Sequence, residues 1–159
     1  MNKKEDPGTQ ADPVYAAIDA HRKAHVAHEA AIDREFELEA RLPQEKRQSR
    51  VDGNGATMSA TDDPLWMMSE LAVRRASDAK FRAACDLLDV RPTTIAGIVA
   101  LSKYAVDHMD AGNNWPDQVG DVDEAGHERE QPWAYFLLES IAKSLEAIES
   151  RGRTDRGSD

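Results

Sequence analysis

Four stretches of the chain carry apolar residues at intervals of three and four, the spacing that lines them up on one side of an α-helix. In the first, Val14, Ile18, Ile32 and Phe36 gather on one side of a 100° wheel, opposite Asp19, Lys23, Arg34 and Glu37. Asp12-Pro13 supplies an N-cap acceptor and a proline at the first helical position, where its missing N–H costs nothing. Pro43 ends the run at about Leu42. A helix of that length spans roughly 44 Å. Asp63-Pro64 repeats the opening and predicts a second helix to about Asp89. Leu65, Met68, Ala72, Ala76, Ala79, Ala83 and Leu87 form one stripe there, and Trp66, Val73, Phe81 and Leu88 another. Arg91-Pro92 closes that helix, and Thr93 or Thr94 caps a third, running to about Met109. Its buried side is expected to hold Ile95, Ile98, Val99, Val106 and Met109. A last helix runs from Pro132 to about Ser150, with Ala134, Leu137, Leu138, Ile141, Leu145 and Ile148 inward.

No comparable alternation of period two marks a strand, so the pattern predicts an all-α chain, an antiparallel bundle of about four helices with a long first helix. Two long polar connections interrupt it. Residues 43–61 contain almost no large apolar side chain and include Gly53-Asn54-Gly55, which reads as a flexible linker. Residues 111–131 form an acidic loop. The domain itself is expected over residues 12–150, with a disordered N-terminus at 1–11 and a disordered tail at 151–159.

Charge sharpens the second connection. The chain carries a net charge of −10, and eight acidic residues against one basic residue, Arg129, lie between Asp107 and Glu130. Such a surface repels phosphate backbones, so no nucleic-acid partner is expected. Cys85 is the only cysteine, which excludes an intramolecular disulfide and a four-thiolate metal centre and fits a reducing, cytoplasmic setting. The opening MNKKEDPGTQAD has no apolar core of a secretion signal. The longest apolar run, Ile95 to Leu101, falls far short of the roughly 20 residues that span a bilayer, so no membrane partner is expected either.

The strongest candidate chemistry lies in the first helix. His21, His25 and His28 stand at i, i+4 and i+7 and project from one side, with His25 at the centre of the apolar face. Imidazoles one turn apart chelate divalent ions such as Zn²⁺, so these three are the candidate metal ligands, the missing ligand coming from elsewhere. The opposing reading packs His25 in the core with one hydrogen bond. Glu35 and Glu39 lie on the same general side, and Glu124-Ala-Gly-His127 matches the Glu-x-x-His spacing of carboxylate-bridged metal bundles, although its glycine disfavours a helical ligand pair.

Other motifs fail on their own chemistry. Asp121-x-Asp123 resembles the start of a calcium loop, but its fifth and twelfth positions are Ala125 and Pro132, which offer no side-chain oxygen. AACDLLDVRPTTIAGIVALSKYA has the outline of a helix-turn-helix, yet its second helix opens on apolar residues rather than base-reading side chains. Neither a nucleophile elbow nor a phosphate-cradling glycine loop is present, and the carboxylates beside Cys85 disfavour its thiolate. No catalytic residue is therefore assigned. Trp66, Trp115 and Trp133 are expected to meet at one end of the bundle, Trp115 serving either as a cover or as an exposed anchor.

Asp12-Pro13-Val14, Ala20-His21-Arg22 and the helix start Pro92-Thr93-Thr94-Ile95-Ala96-Gly97 resemble a family of small uncharacterised all-helical bacterial proteins, over about residues 12–148. The resemblance implies a bacterial, all-helical protein and no chemistry. Gly97, one turn into a helix, costs about 1 kcal/mol relative to alanine. Close approach of a neighbouring helix is its expected compensation. The leading functional expectation is a non-enzymatic protein–protein interaction or regulatory module, binding a protein partner or itself as a homodimer through the surplus face of the first helix. The alternatives are a metal-binding protein using His21, His25 and His28, with a divalent metal as its only cofactor, and an acidic inhibitor of a nucleic-acid-binding protein using Asp117, Asp121, Asp123 and Glu124.

Overall fold

Helices occupy the four stretches that the apolar periodicity marked: α1 (Val14–Glu39), α2 (Pro64–Asp89), α3 (Ile95–Asp110) and α4 (Trp133–Thr154). The architecture, taken from a computed structural model that describes residues 11–52, 55–57, 59–122 and 126–154, is predominantly all-α. The expectations for residues 1–10, 53–54, 123–125 and 155–159 lie outside the described residues. Residues 151–154, expected in a disordered tail, continue α4. At 26 residues each, α1 and α2 are equal in length and longer than α3 and α4.

Both long connections contain strands. A 3-10 turn, Gln44–Lys46, precedes β1 (Arg50–Asp52) and β2 (Gly55–Thr57), which pair antiparallel with Arg50 opposite Thr57. In the acidic connection, β3 (Val119–Val122) and β4 (Glu128–Gln131) pair antiparallel, Val119 opposite Gln131 and Val122 opposite Glu128. These hairpins correct the reading of two plain loops. Neither strand of the second carries alternating apolar residues, so its pairing leaves no periodic trace in the sequence.

The chain divides into two compact units, residues 1–19 with 84–159 and residues 20–83, so α1 and α2 contribute residues to both. In the first unit the core joins Val14, Ile18, Ala84, Leu87, Leu101, Tyr104, Trp115, Val119, Trp133, Phe136 and Leu137. Among the described residues the second unit buries the apolar Ala31, Leu38 and Trp66 beside the polar His21, Ser49, Asp62 and Glu70. A short polar lattice organises that unit. Asp62 accepts from the backbone N–H groups of Gln48 and Ser49, Ser49 Oγ accepts from Ser59 N, and Trp66 Nε1 donates to Ser49 O at 3.0 Å.

All four expected buried faces are shifted: on α4, Ala134, Leu138 and Leu145 face outward, while Trp133, Phe136, Leu137, Ser140 and Ser144 are buried. On α1 the covered positions are Val14, Ile18, His21, Ala31 and Leu38, with Phe36 largely exposed. Those positions recur close to every 3.5 residues, and such a seam drifts across the surface of a 3.6-residue helix, which a fixed 100° wheel does not follow. On α2, Leu65, Met68, Ala72 and Ala79 face outward, while Trp66, Ala84 and Leu87 are buried. On α3 the buried side is Gly97, Ile98, Leu101, Tyr104, Ala105 and His108.

Candidate functional site

The three histidines of the stripe are unequally covered. His21 is 1% exposed, whereas His25, expected at the centre of the buried face, is only partly covered, as is His28. Burial, with Lys80 close by, lowers the His25 pKa, so its imidazole favours the neutral form. Among the described residues no group of three His, Cys, Asp or Glu side chains is placed to hold a metal ion. Burial and the nearby Glu70 raise the Glu35 carboxyl, and Glu70 is itself bonded by Arg50 at 3.2 Å. His127 is exposed beyond the start of the hairpin turn, with Glu124 outside the described residues.

Asp12 does more than cap its own helix. Its Oδ1 accepts from Val14 N at 3.1 Å, closing the first turn of α1. Its Oδ2 accepts from Thr93 N and Thr94 N, each at 2.9 Å, and from the Thr94 hydroxyl at 2.8 Å. One buried carboxylate thereby satisfies the free N–H groups at the starts of two helices. Thr94 is the N-cap of α3, its hydroxyl accepting from Gly97 N at 3.0 Å. A Cβ at Gly97 would overlap the Asp12 carboxylate. The compensation for glycine is thus a carboxylate, not the packed helix expected. Burial alone would raise the Asp12 pKa, but the bonds from Thr94, Val14 and Thr93 outweigh it and hold the carboxyl low.

Two of the three tryptophans meet. Trp115 and Trp133 stack with ring centroids 3.9 Å apart and planes 7° from parallel, and His108 lies 4.5 Å from Trp115. Trp115 Nε1 donates to Ala105 O at 3.1 Å and Trp133 Nε1 to Ala84 O at 2.6 Å. Trp115 is buried, a cover rather than an exposed anchor. Trp66 belongs to the other unit, where it bonds Ser49.

The acidic connection organises around its one cation. Arg129 donates to Asp121 Oδ2 at 2.6 Å and to Glu139 Oε2 at 2.8 Å, and its guanidinium lies 4.9 Å from the centroid of Phe136. The bonds from Arg129 hold the carboxyls of Asp121 and Glu139 low, and Lys143 approaches Glu139 at 3.4 Å. Asp117 is exposed, while Asp123 and Glu124 are outside the described residues. The hairpin borders a groove of about 740 Å³ whose other walls include Cys85, Leu88, Phe136, Ser140 and Lys143. Burial pushes the Cys85 thiol up, and Asp86 and Asp89 push it further, so the groove holds a poor nucleophile.

On α3, four of the five residues expected inside lie outside. Ile95, Val99, Val106 and Met109 are each about half exposed and fall on one stripe with Ser102 between them. The sequence marked these residues as apolar and periodic but assigned them to the inside, because α3 has two apolar faces and periodicity alone does not rank them. No helix among the described residues is long and apolar enough to cross a membrane. No protein-family model, no curated protein and no solved structure matches this chain.

Proposed function

We propose that this chain is a non-enzymatic helical interaction module that associates with a second copy of itself through the exposed face of α3. The observation that carries the reading is the stripe Ile95, Val99, Ser102, Val106 and Met109, apolar at four of five positions and open to solvent. Its spacing alternates four and three residues, the seam of a helix-to-helix interface. The stripe is also close to symmetric about Ser102. Ile95 and Met109 stand seven residues to either side, Val99 and Val106 three and four. A two-fold related copy, running antiparallel, meets the same sequence it presents.

A stable pair buries about 800 Å² per partner, more than four half-exposed side chains supply. Tyr135, Leu138 and Leu145 of α4, in the same unit, are further exposed apolar groups.

Sedimentation of the full chain tests the reading. A dimer at tens of micromolar is expected, converted to monomer by joint Val99→Glu and Val106→Glu substitution with the helical circular-dichroism spectrum unchanged. A wild-type protein that sediments as a monomer across that range overturns it, and so does a dimer indifferent to both substitutions.

A further inference from the structure

Two threonines at the start of α3 converge on one carboxylate oxygen. Thr93 and Thr94 turn both backbone N–H groups and both hydroxyls toward Asp12 Oδ2, at 2.8–3.3 Å. The first N–H groups of a helix have no partner within it and sit at its positive end, so they favour an anion. Thr94 answers one of them internally, its hydroxyl accepting from Gly97 N at 3.0 Å. The N–H groups of Thr93 and Thr94 instead take an oxyanion that arrives from 81 and 82 residues away. Gly97 completes the cradle, because a Cβ there would fill the space that Oδ2 occupies. Pro92 is fully enclosed and the Thr94 cap closes within α3, two anchors that do not involve Asp12. Thr93 and Thr94 are exposed residues, so the cradle lies at the surface.

We propose that the start of α3 is a carboxylate-binding site that the chain fills with its own Asp12, and that a free carboxylate from solution takes the same place when Asp12 is removed. Two oxygens are held, Oδ2 by Thr93 and Thr94 and Oδ1 by Val14 N at 3.1 Å, an arrangement that suits a planar carboxylate. The site selects the charged form. Burial acts to raise the Asp12 pKa, yet the bonds from Thr94, Val14 and Thr93 hold it below the usual value. As a tethered occupant Asp12 acts at high effective concentration, so the wild-type site is closed to a competitor.

Formate, a carboxylate with no side chain, is the probe, and thermal unfolding of the full-length protein is the readout. Formate at about 0.5 M is expected to raise the midpoint of Asp12→Gly by about 3 °C over the same concentration of chloride, the shift for a dissociation constant on the order of 0.1 M. The wild type is expected to unfold at one midpoint in both salts. Adding Gly97→Ala to Asp12→Gly puts a methyl group where the bound oxygen would lie and should abolish the formate shift. Asp12→Ala replaces Asp12→Gly throughout if the glycine variant does not fold. Equal midpoints in formate and chloride for the Asp12 variant overturn the proposal. So does a formate shift of the same size in the wild type, or one that survives Gly97→Ala.

Discussion

The backbone of Gly97 lies against the carboxylate of Asp12 so closely that a methyl group at position 97 would overlap Asp12 Oδ2. Alanine is ordinarily favoured over glycine inside a helix by about 1 kcal/mol. Here it must displace a buried carboxylate that accepts from Thr93 and Thr94. Gly97→Ala is therefore expected to destabilise the protein by about 2 kcal/mol, the scale of lost charge-assisted hydrogen bonds. In an Asp12→Ala background the obstacle is gone, and Gly97→Ala should stabilise by up to about 1 kcal/mol. Urea unfolding of the four proteins measures both. An equal loss in the two backgrounds would show that the glycine serves something other than Asp12.

The same carboxylate sets a pH dependence. Its pKa in the folded chain is below the usual value, so the unfolded chain binds the proton more readily. The associated stability is complete above the unfolded pKa, near 4, and is lost as pH falls through the lower folded value. Asp12→Asn should lower stability at neutral pH and flatten its decline below about pH 4. Unfolding midpoints for the wild type and the variant between neutrality and strong acid check the sign.

Burial orders the histidines differently from their wheel positions. His21 is almost wholly enclosed and His25 is not. His21→Ala is expected to cost about 2–3 kcal/mol, as for a large buried side chain, and His25→Ala less than about 1 kcal/mol. Chemical denaturation of the two variants decides the order. A larger loss at His25 would contradict the placement of α1.

The Trp115–Trp133 stack has a spectroscopic consequence. Two indoles stacked 3.9 Å apart hold each other rigidly in a chiral setting, so the native near-ultraviolet circular-dichroism spectrum should change on either Trp115→Phe or Trp133→Phe. Trp133→Ala also forfeits the bond to Ala84 O and a fully buried ring, a loss of about 3–5 kcal/mol. A near-ultraviolet spectrum unchanged in both phenylalanine variants would be incompatible with the stack.

Helix existence and limits were legible because they depend on local chemistry. Asp12-Pro13, Asp63-Pro64 and Thr94 mark helix starts, and Arg91-Pro92 an end, through groups that act within a few residues. The acidifying or alkalising effect of neighbours was partly legible too: the carboxylates beside Cys85 raise its pKa, as their adjacency in sequence indicated. The hairpins were not legible, since VGDV and EREQ lack the alternating apolar residues that declare a strand. Both halves of the Asp12 clasp stood out separately, one as a cap and one as a glycine-bearing helix start. Nothing local joins residues 81 and 82 positions apart along the chain.

By itself, the amino-acid sequence determined the helical class, the helix starts, and the isolation of its one thiol, because capping, periodicity and residue counts need no partner. Only the tertiary structure decided which apolar face each helix turns inward. Helix α3 is apolar on two sides, and the interior goes to the side whose Gly97, Leu101 and Tyr104 fit their surroundings, leaving Ile95, Val99, Val106 and Met109 outside. Packing is a non-local competition for a limited interior, settled by shape and by groups such as Asp12 that arrive from far along the chain.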